Sequence, residues 1–381
     1  MLAAAFVPIA EWVRLTFHET MLESTSEGPN VIQETGEASE SRALANELDE
    51  SGEEQIYRAM RRFFHPVAYA ADVPDGPVRV TLLDEHLVLV RLGGEIRCFK
   101  DLCVHRGTAL SLGWIEEDQL RCAYHGWMYG PDGVCTQIPA RFGSNIPSRA
   151  RLTPYLVQER DGLVWVCLSP DPHYPLPEFP EWGREGFRVA RVPAYDWSCS
   201  ATRRVENYVD FAHFAWLHDG LLASREHPEV PDHPVWREGP ELRFEGARLE
   251  PPSTSKPAIG AEEVPVQSRT EYRLFMPFTI WLHQIYDDGR EFSLFMAASP
   301  TSRKRVRSFT FNARNYDLEG DDASYVEFQE LIVSQDVPVA ESQRPEELPM
   351  DLSAELHIRG VDKISLEYRK WLVELKALAE A

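Results

Sequence analysis

The feature that most constrains this 381-residue chain is a pair of short loops, Cys103-x-His105 and Cys122-x-x-His125, separated by sixteen residues. Four side chains of two ligand types must converge there, so the chain between them has to fold back on itself. Two Cys and two His serve two kinds of metal centre. A single zinc ion takes all four in one tetrahedral site. A 2Fe–2S cluster takes both cysteines on one iron and both histidines on the other.

The order of the residues bears on that choice. Zinc fingers place both cysteines before both histidines, whereas here each loop supplies one of each. Gly107, Gly113 and Gly126 are expected to let the backbone approach the sulfides closely. The segment CVHRGTALSLGWIEEDQLRCAYHGW resembles the cluster-binding loops of Rieske proteins, which implies that Cys103, His105, Cys122 and His125 hold a 2Fe–2S cluster. Rieske proteins of respiratory bc complexes carry a further disulfide-forming Cys in each loop. The matching positions here are Thr108 and Tyr124, so the chain is similar to the lower-potential oxygenase and ferredoxin type. Cys98, Cys135, Cys167 and Cys199 read as buried apolar residues. Arg106 and Trp127, beside the ligands, either shape the docking of a reductase or pack locally.

A second constellation follows in ENYVDFAHFAWLHDG, with Asn207, Asp210, His213 and His218. Two His and one carboxylate on a common face leave coordination positions open for O₂ and substrate. The segment resembles the mononuclear iron motif of Rieske non-heme iron oxygenases. That resemblance implies Fe(II) held by His213 and His218, with Asp210 and Asn207 as candidate catalytic residues. On a straight helix His213 and His218 lie about 140° apart. A common metal therefore requires the helix to end, or to carry a π-bulge, near Phe214–Leu217. Asp210 and His213, three residues apart, can hydrogen-bond directly. The third ligand implied by the resemblance is Asp336 in QD-x-x-V-x-E-S-Q, with Asp321, Asp322 and Glu341 as rivals.

The patterning around these motifs predicts an α+β protein. Short Val- and Leu-rich runs at Val78–Leu83, Leu87–Leu92 and Ile96–Phe99, with Gly93-Gly94, Asp132-Gly133 and Asp161-Gly162 turns, suggest an N-terminal all-β domain. Five prolines from Pro170 to Pro180 mark a hinge. Beyond it, a helix over Arg203–Leu217, long antiparallel strands within residues 268–314 and a helical tail from Leu352 to Ala379 suggest an antiparallel-sheet catalytic domain with flanking helices. The expected division is an acidic, mobile leader at 1–57, a Rieske domain at 58–172 and a mononuclear iron catalytic domain at 173–381. In LFMPFTIWLHQIY, Phe275, Met276, Phe278, Trp281, His283 and Tyr286 are candidates for a pocket wall or for core. Arg303, Arg305 and Arg307, at period two beside Lys304, suggest one basic strand face.

Composition excludes other classes. The net charge of −22 disfavours a phosphate backbone as partner. Residues 22–56 hold ten acidic side chains and one basic one, so the rest still carries about −13. No apolar run approaches the ~18 residues of a membrane helix. The opening MLAAAFVPIAEWV lacks a basic stretch before its apolar residues, so a cytoplasmic location is expected. What the resemblance implies is the terminal component of a monooxygenase. Electrons are expected from NAD(P)H only through a separate reductase, directly or by way of a ferredoxin. O₂ is used to hydroxylate or oxidatively demethylate a small aromatic or polycyclic substrate, in a homotrimer. The alternatives are a cis-dihydroxylating dioxygenase, a Rieske oxidase that inserts no oxygen, and a plain Rieske electron carrier.

Overall fold

The computed structural model describes residues 52–141, 143, 145–250 and 266–380, with backbone only at 247–250, 266–267 and 380. The acidic segment 22–51, and with it most of the expected leader, lies outside the described residues. Residues 52–57 of that leader are folded. They belong to helix α1 (52–59), which buries Ile56 and Ala59 against the core.

The first half of the described chain is built from ten strands. They are β1 (His65–Tyr69), β2 (Val78–Leu82), β3 (Glu85–Leu92), β4 (Glu95–Lys100), β5 (Trp114–Glu116), β6 (Gln119–Arg121), β7 (Met128–Tyr129), β8 (Cys135–Gln137), β9 (Pro154–Arg160) and β10 (Leu163–Cys167). Six form one sheet in the order β1-β10-β9-β4-β3-β2, and β5 to β8 form a small four-stranded sheet. The expected hairpin turns are present. Gly93 and Gly94 both take positive φ between β3 and β4, where residues with a Cβ are disfavoured. Between the two sheets lies a small core of Val88, Val90, Phe99, Leu120 and Tyr129, to which Cys103 and Cys122 themselves belong.

The second half is one seven-stranded antiparallel sheet flanked by helices. In chain order it contains β11 (Arg188–Trp197), helices α2 (Ala201–Val209) and α3 (Phe214–Leu217), strands β12 (Val235–Glu238), β13 (Glu241–Glu250), β14 (Val266–Phe275), β15 (Thr279–Tyr286), β16 (Glu291–Ser302) and β17 (Arg305–Arg314), then α4 (Ala323–Ser342) and α5 (Lys363–Leu375). The strand order is β11-β17-β16-β15-β14-β13-β12. The fold is therefore the expected α+β arrangement: an all-β N-terminal part, then an antiparallel sheet carrying helices. The two halves are stitched together by main-chain bonds from Leu83 and Asp84 to Pro300 and Thr301 (2.8 and 3.0 Å). The buried Tyr69 hydroxyl adds a bond to the carbonyl of Val192 (2.7 Å).

Four local expectations need correction. The single helix over Arg203–Leu217 is two helices, with a break at residues 210–213. The helical tail is shorter, confined to α5 and a final 3₁₀ turn at Lys376–Glu380. Within residues 268–314 the apolar run Leu274–Trp281 reads as part of one long strand, but Met276–Phe278 make the turn between β14 and β15. Arg303 and Lys304 sit in the turn between β16 and β17, so they do not continue the strand face of Arg305 and Arg307. Arg303 pairs with Glu347 and Glu54, Lys304 with Glu346, and Arg307 with Asp196, so these three charges are matched within the chain.

Candidate functional site

The two Cys–His loops have matching backbone geometry. In the first, the Cys103 amide donates to Thr108 O (2.8 Å) and the Gly107 amide to Cys103 O (2.9 Å). In the second, the Cys122 amide donates to Trp127 O (2.9 Å) and the Gly126 amide to Cys122 O (3.0 Å). Both glycines have φ near +70°, a conformation that closes each loop and disfavours other residues. Gly113 has a different role from the one expected. A Cβ there would lie 2.0 Å from Arg121 O, so it serves the close passage of two backbones.

The loops sort the four candidate ligands by type. Both cysteines are buried, while His105 and His125 are exposed with ring centroids 4.4 Å apart. Trp127 stacks flat on His105 at 4.6 Å. Among the described residues, no three of these four ligands come within 4.8 Å of one another, as a single tetrahedral ion would require. Sulfur donors on the inner side and nitrogen donors on the outer side fit a two-iron cluster whose irons take unlike ligands. The Tyr129 hydroxyl lies 3.1 Å from Cys103 Sγ, a contact that the spacing of the motif does not announce. The other four cysteines are free and buried, and burial pushes the thiols of Cys167 and Cys199 up to about 11.

The second site forms where α2, α3 and α4 meet the sheet. Asp210 ends α2 with extended backbone, and its Oδ1 accepts from the Ala212 amide (2.8 Å). This local turn breaks the helix. His213 then stands at the N-terminus of α3 and His218 at its C-terminus. The expected helix end does fall between the two histidines, since α3 stops at Leu217 and His218 has left the helical conformation, and no π-bulge is needed. The helix is short enough that histidines flanking its two ends bring their rings to 5.1 Å. Asp336 of α4 completes the group, with donor atoms of all three within 4.8 Å of one another. The rivals are engaged elsewhere: Asp322 binds Arg188 and Arg314, Asp321 caps Ala323, and Glu341 accepts from the Ser198 amide.

Each ring is oriented by its second nitrogen. His213 Nδ1 lies 3.3 Å from Asp210 Oδ2, and His218 Nδ1 lies 2.7 Å from Gln335 Oε1. Both Nε2 atoms then face Asp336 Oδ1, at 3.6 and 3.0 Å. Such partners fix the tautomer and leave Nε2 free for a metal. Burial acts to raise the Asp336 carboxyl, yet His218 and Arg204 hold it below the ordinary carboxylate range. Two neutral imidazoles and an ionised carboxylate are the donor set of a non-heme ferrous centre. Gln335 lies inside the quoted QD motif, but which side chain it would serve depends on how α4 meets α3.

The three donors open into a cavity lined mainly by apolar residues of the sheet and α4: Leu282, Phe292, Leu294, Met296, Phe328 and Ile332. Of the six candidates in LFMPFTIWLHQIY, only Tyr286 reaches it. Phe275 and Trp281 lie in the second core with Phe179 and Phe295, and His283 pairs with Glu291 (2.9 Å). The lining residues are instead Leu282, Gln284 and Tyr286, alternate positions of β15 that put one strand face toward the metal donors. Gln284 and Gln329 add two buried carboxamides. Among the described residues, no helix is long and apolar enough to cross a membrane.

Comparison with known proteins places both halves. Residues 63–148 match the family described as Rieske [2Fe-2S] domain. Residues 197–378 match the vanillate O-demethylase oxygenase C-terminal domain. Methylxanthine N1-demethylase NdmA of Pseudomonas putida is 34% identical over 329 residues, covering 83% of this chain and 89% of that protein. Methylxanthine N3-demethylase NdmB of the same organism is 34% identical over 337 residues, 84% of this chain and 90% of that one. The solved structure of Pseudomonas putida CBB5 NdmA with caffeine superposes with a TM-score of 0.77 at 32% identity, over 85% of this chain and 93% of that one.

Proposed function

The chain belongs to the Rieske non-heme iron oxygenases, and from that premise we propose that it oxidatively demethylates a neutral, N-methylated aromatic heterocycle. As an oxygenase component it carries a 2Fe–2S cluster and a mononuclear iron, and it draws electrons from a separate reductase. We assign the cluster to Cys103, His105, Cys122 and His125 within residues 58–172, and the iron to His213, His218 and Asp336 within 173–381. A ferrous ion held there would activate O₂ with electrons passed through the cluster. The chain's own part is to seat the substrate, exclude water and hold the ligands in one protonation state.

The observation that carries the reading is the charge of the cavity wall. Apart from the three metal donors, Arg204 is the only charged residue among those described that line it. Arg204 is committed: it donates to Tyr195 (2.7 Å) and to Asn207, and it stacks on Trp197 and Tyr208. A substrate carboxylate would be buried with no cation to meet it, at a cost of several kcal/mol. A planar neutral ring fits the apolar walls. Amide-type groups on that ring can pair with the buried carboxamides of Gln284 and Gln329. Overall, one C–H of the N-methyl becomes C–OH, and the C–N bond then breaks to release formaldehyde and the secondary amine. O₂, two electrons and two protons are consumed, and one water is formed. Iron-reconstituted enzyme with a surrogate reductase should release formaldehyde and demethylated amine in equal amounts from N-methylated purinediones, and none from methoxybenzoates. The reverse preference would overturn the reading.

The same premise supports a homotrimer. Asp210 lies 39% exposed in a groove beside Leu356, which is 90% exposed, and Val339. Exposed Tyr124 lies against His125 with ring centroids 3.8 Å apart, and Leu102, Val104 and Leu112 of the same stretch of chain are exposed as well. We assign Asp210 to a bridge: it holds His213 on one side and accepts from His105 or His125 of the partner subunit on the other. A cytoplasmic location fits the four free thiols outside the cluster loops and forms part of the proposal.

A further inference from the structure

Asp336 does not offer its two carboxylate oxygens equally. Oδ1 faces both imidazoles, 3.0 Å from His218 Nε2 and 3.6 Å from His213 Nε2, and Asn207 Nδ2 donates to it at 3.3 Å. Oδ2 faces the opposite way, 3.8 Å from Arg204 Nη1. The guanidinium is itself immobilised. It is 2% exposed, lies 3.8 Å from the Trp197 ring centroid and 4.0 Å from that of Tyr208, and is anchored by Tyr195 Oη and Asn207 Oδ1. A cation buried this deeply normally takes a carboxylate as its own partner. Here the nearest carboxylate is one that a metal would also claim.

The geometry points to Arg204 as a positioning residue that reserves Asp336 Oδ2 and so limits Asp336 to one bond with the metal, leaving a coordination position open. The aromatic cage is what makes this arrangement stable. It compensates the guanidinium by cation–π attraction when the metal takes most of the negative charge of Asp336. Asn207 works in the same direction, since its carboxamide ties the guanidinium to the oxygen that faces the metal. The inference rests on the assignment of His213, His218 and Asp336 as ligands. It adds a consequence for affinity: a fixed positive charge close to a divalent cation weakens metal binding, and the open position is gained at that expense.

Cobalt(II) titration of the cluster-loaded protein, after chelation of the mononuclear metal, tests both levels. Wild-type protein should bind one Co(II) per chain and Asp336→Asn should not. If both bind alike, the ligand assignment itself is wrong. With that assignment standing, Arg204→Met should bind Co(II) at least tenfold more tightly. Its visible Co(II) bands should weaken, as they do when a carboxylate oxygen adds a ligand. Arg204→Lys, which keeps the charge, should stay within about twofold of wild type. The cluster spectrum reports folding, and Arg204→Gln substitutes for the Met variant if that one fails to fold. Neutral variants with unchanged affinity and unchanged bands would overturn the inference about Arg204 alone.

Discussion

Tyr129 is the residue whose loss isolates a single interaction at the cluster site. Its hydroxyl meets Cys103 Sγ at 3.1 Å in the core beneath the loops. Burial first, and the neighbouring thiol next, push the phenol well above its ordinary range, so it remains a donor at any working pH. A donor to a cluster sulfur favours the more negative, reduced state. A net hydrogen bond of about 1 kcal/mol corresponds to roughly 40 mV in a one-electron couple. Tyr129→Phe should therefore lower the cluster midpoint potential by tens of millivolts while the four ligands stay bound. A redox titration followed by EPR measures this, and an unmoved midpoint would remove the hydrogen bond as a cause. The ligands proposed for the cluster were legible from the paired Cys–His spacing together with the family resemblance, and those proposed for the iron through that resemblance. Tyr129, Gln335 and Arg204 were not. Each is an ordinary residue whose neighbour is set by where a strand or helix happens to pass.

At the scale of elements, periodicity found the short strands but misread the helices. The pattern of Arg203–Leu217 suits one helix. Asp210 nevertheless folds its side chain onto the Ala212 amide, and that competing bond ends α2 one turn before His213. Helix α4 carries Asp336 yet has no one-sided apolar stripe. Pro338 inside it removes a backbone donor, which argues against a helix on sequence grounds alone. What holds α2 in place is a buried ionic cluster. Arg203 and Arg369 are almost wholly buried and share Glu206 and Glu355, and Arg369 meets them at 2.6 and 2.5 Å. Burial acts to raise the Glu206 carboxyl, and Arg369 opposes it. Removing the Glu206 carboxylate leaves two buried cations to share Glu355 alone, a loss of about 3–5 kcal/mol. Glu206→Ala should show that loss in denaturant unfolding, whereas Glu206→Asp should recover part of it. A change below about 1 kcal/mol would mean that Glu355 alone satisfies both arginines.

At the scale of the whole molecule, net charge disfavours a nucleic-acid partner, but the composition does not reveal which faces remain uncovered. Leu356 and Leu112 are ordinary leucines in the sequence. Only the fold leaves them 90% and 69% exposed, Leu356 in the groove that also holds Asp210 and Leu112 in the chain between the two Cys–His loops. Exposed apolar residues around two half-sites of one redox chain fit a closed ring better than a monomer. That makes assembly and electron transfer separable. Leu356→Glu should lower the solution mass from that of the proposed trimer to that of a monomer with both metals retained. Asp210→Asn should leave the mass and both metals unchanged, since an amide oxygen can still accept from the Ala212 amide. Its deficit should lie in the rate at which reduced cluster is reoxidised in single turnover with substrate and O₂, by at least a hundredfold. Asp210→Asn protein that reoxidised at the wild-type rate would leave Asp210 as the residue that turns the chain and orients His213, with no part in carrying electrons between subunits.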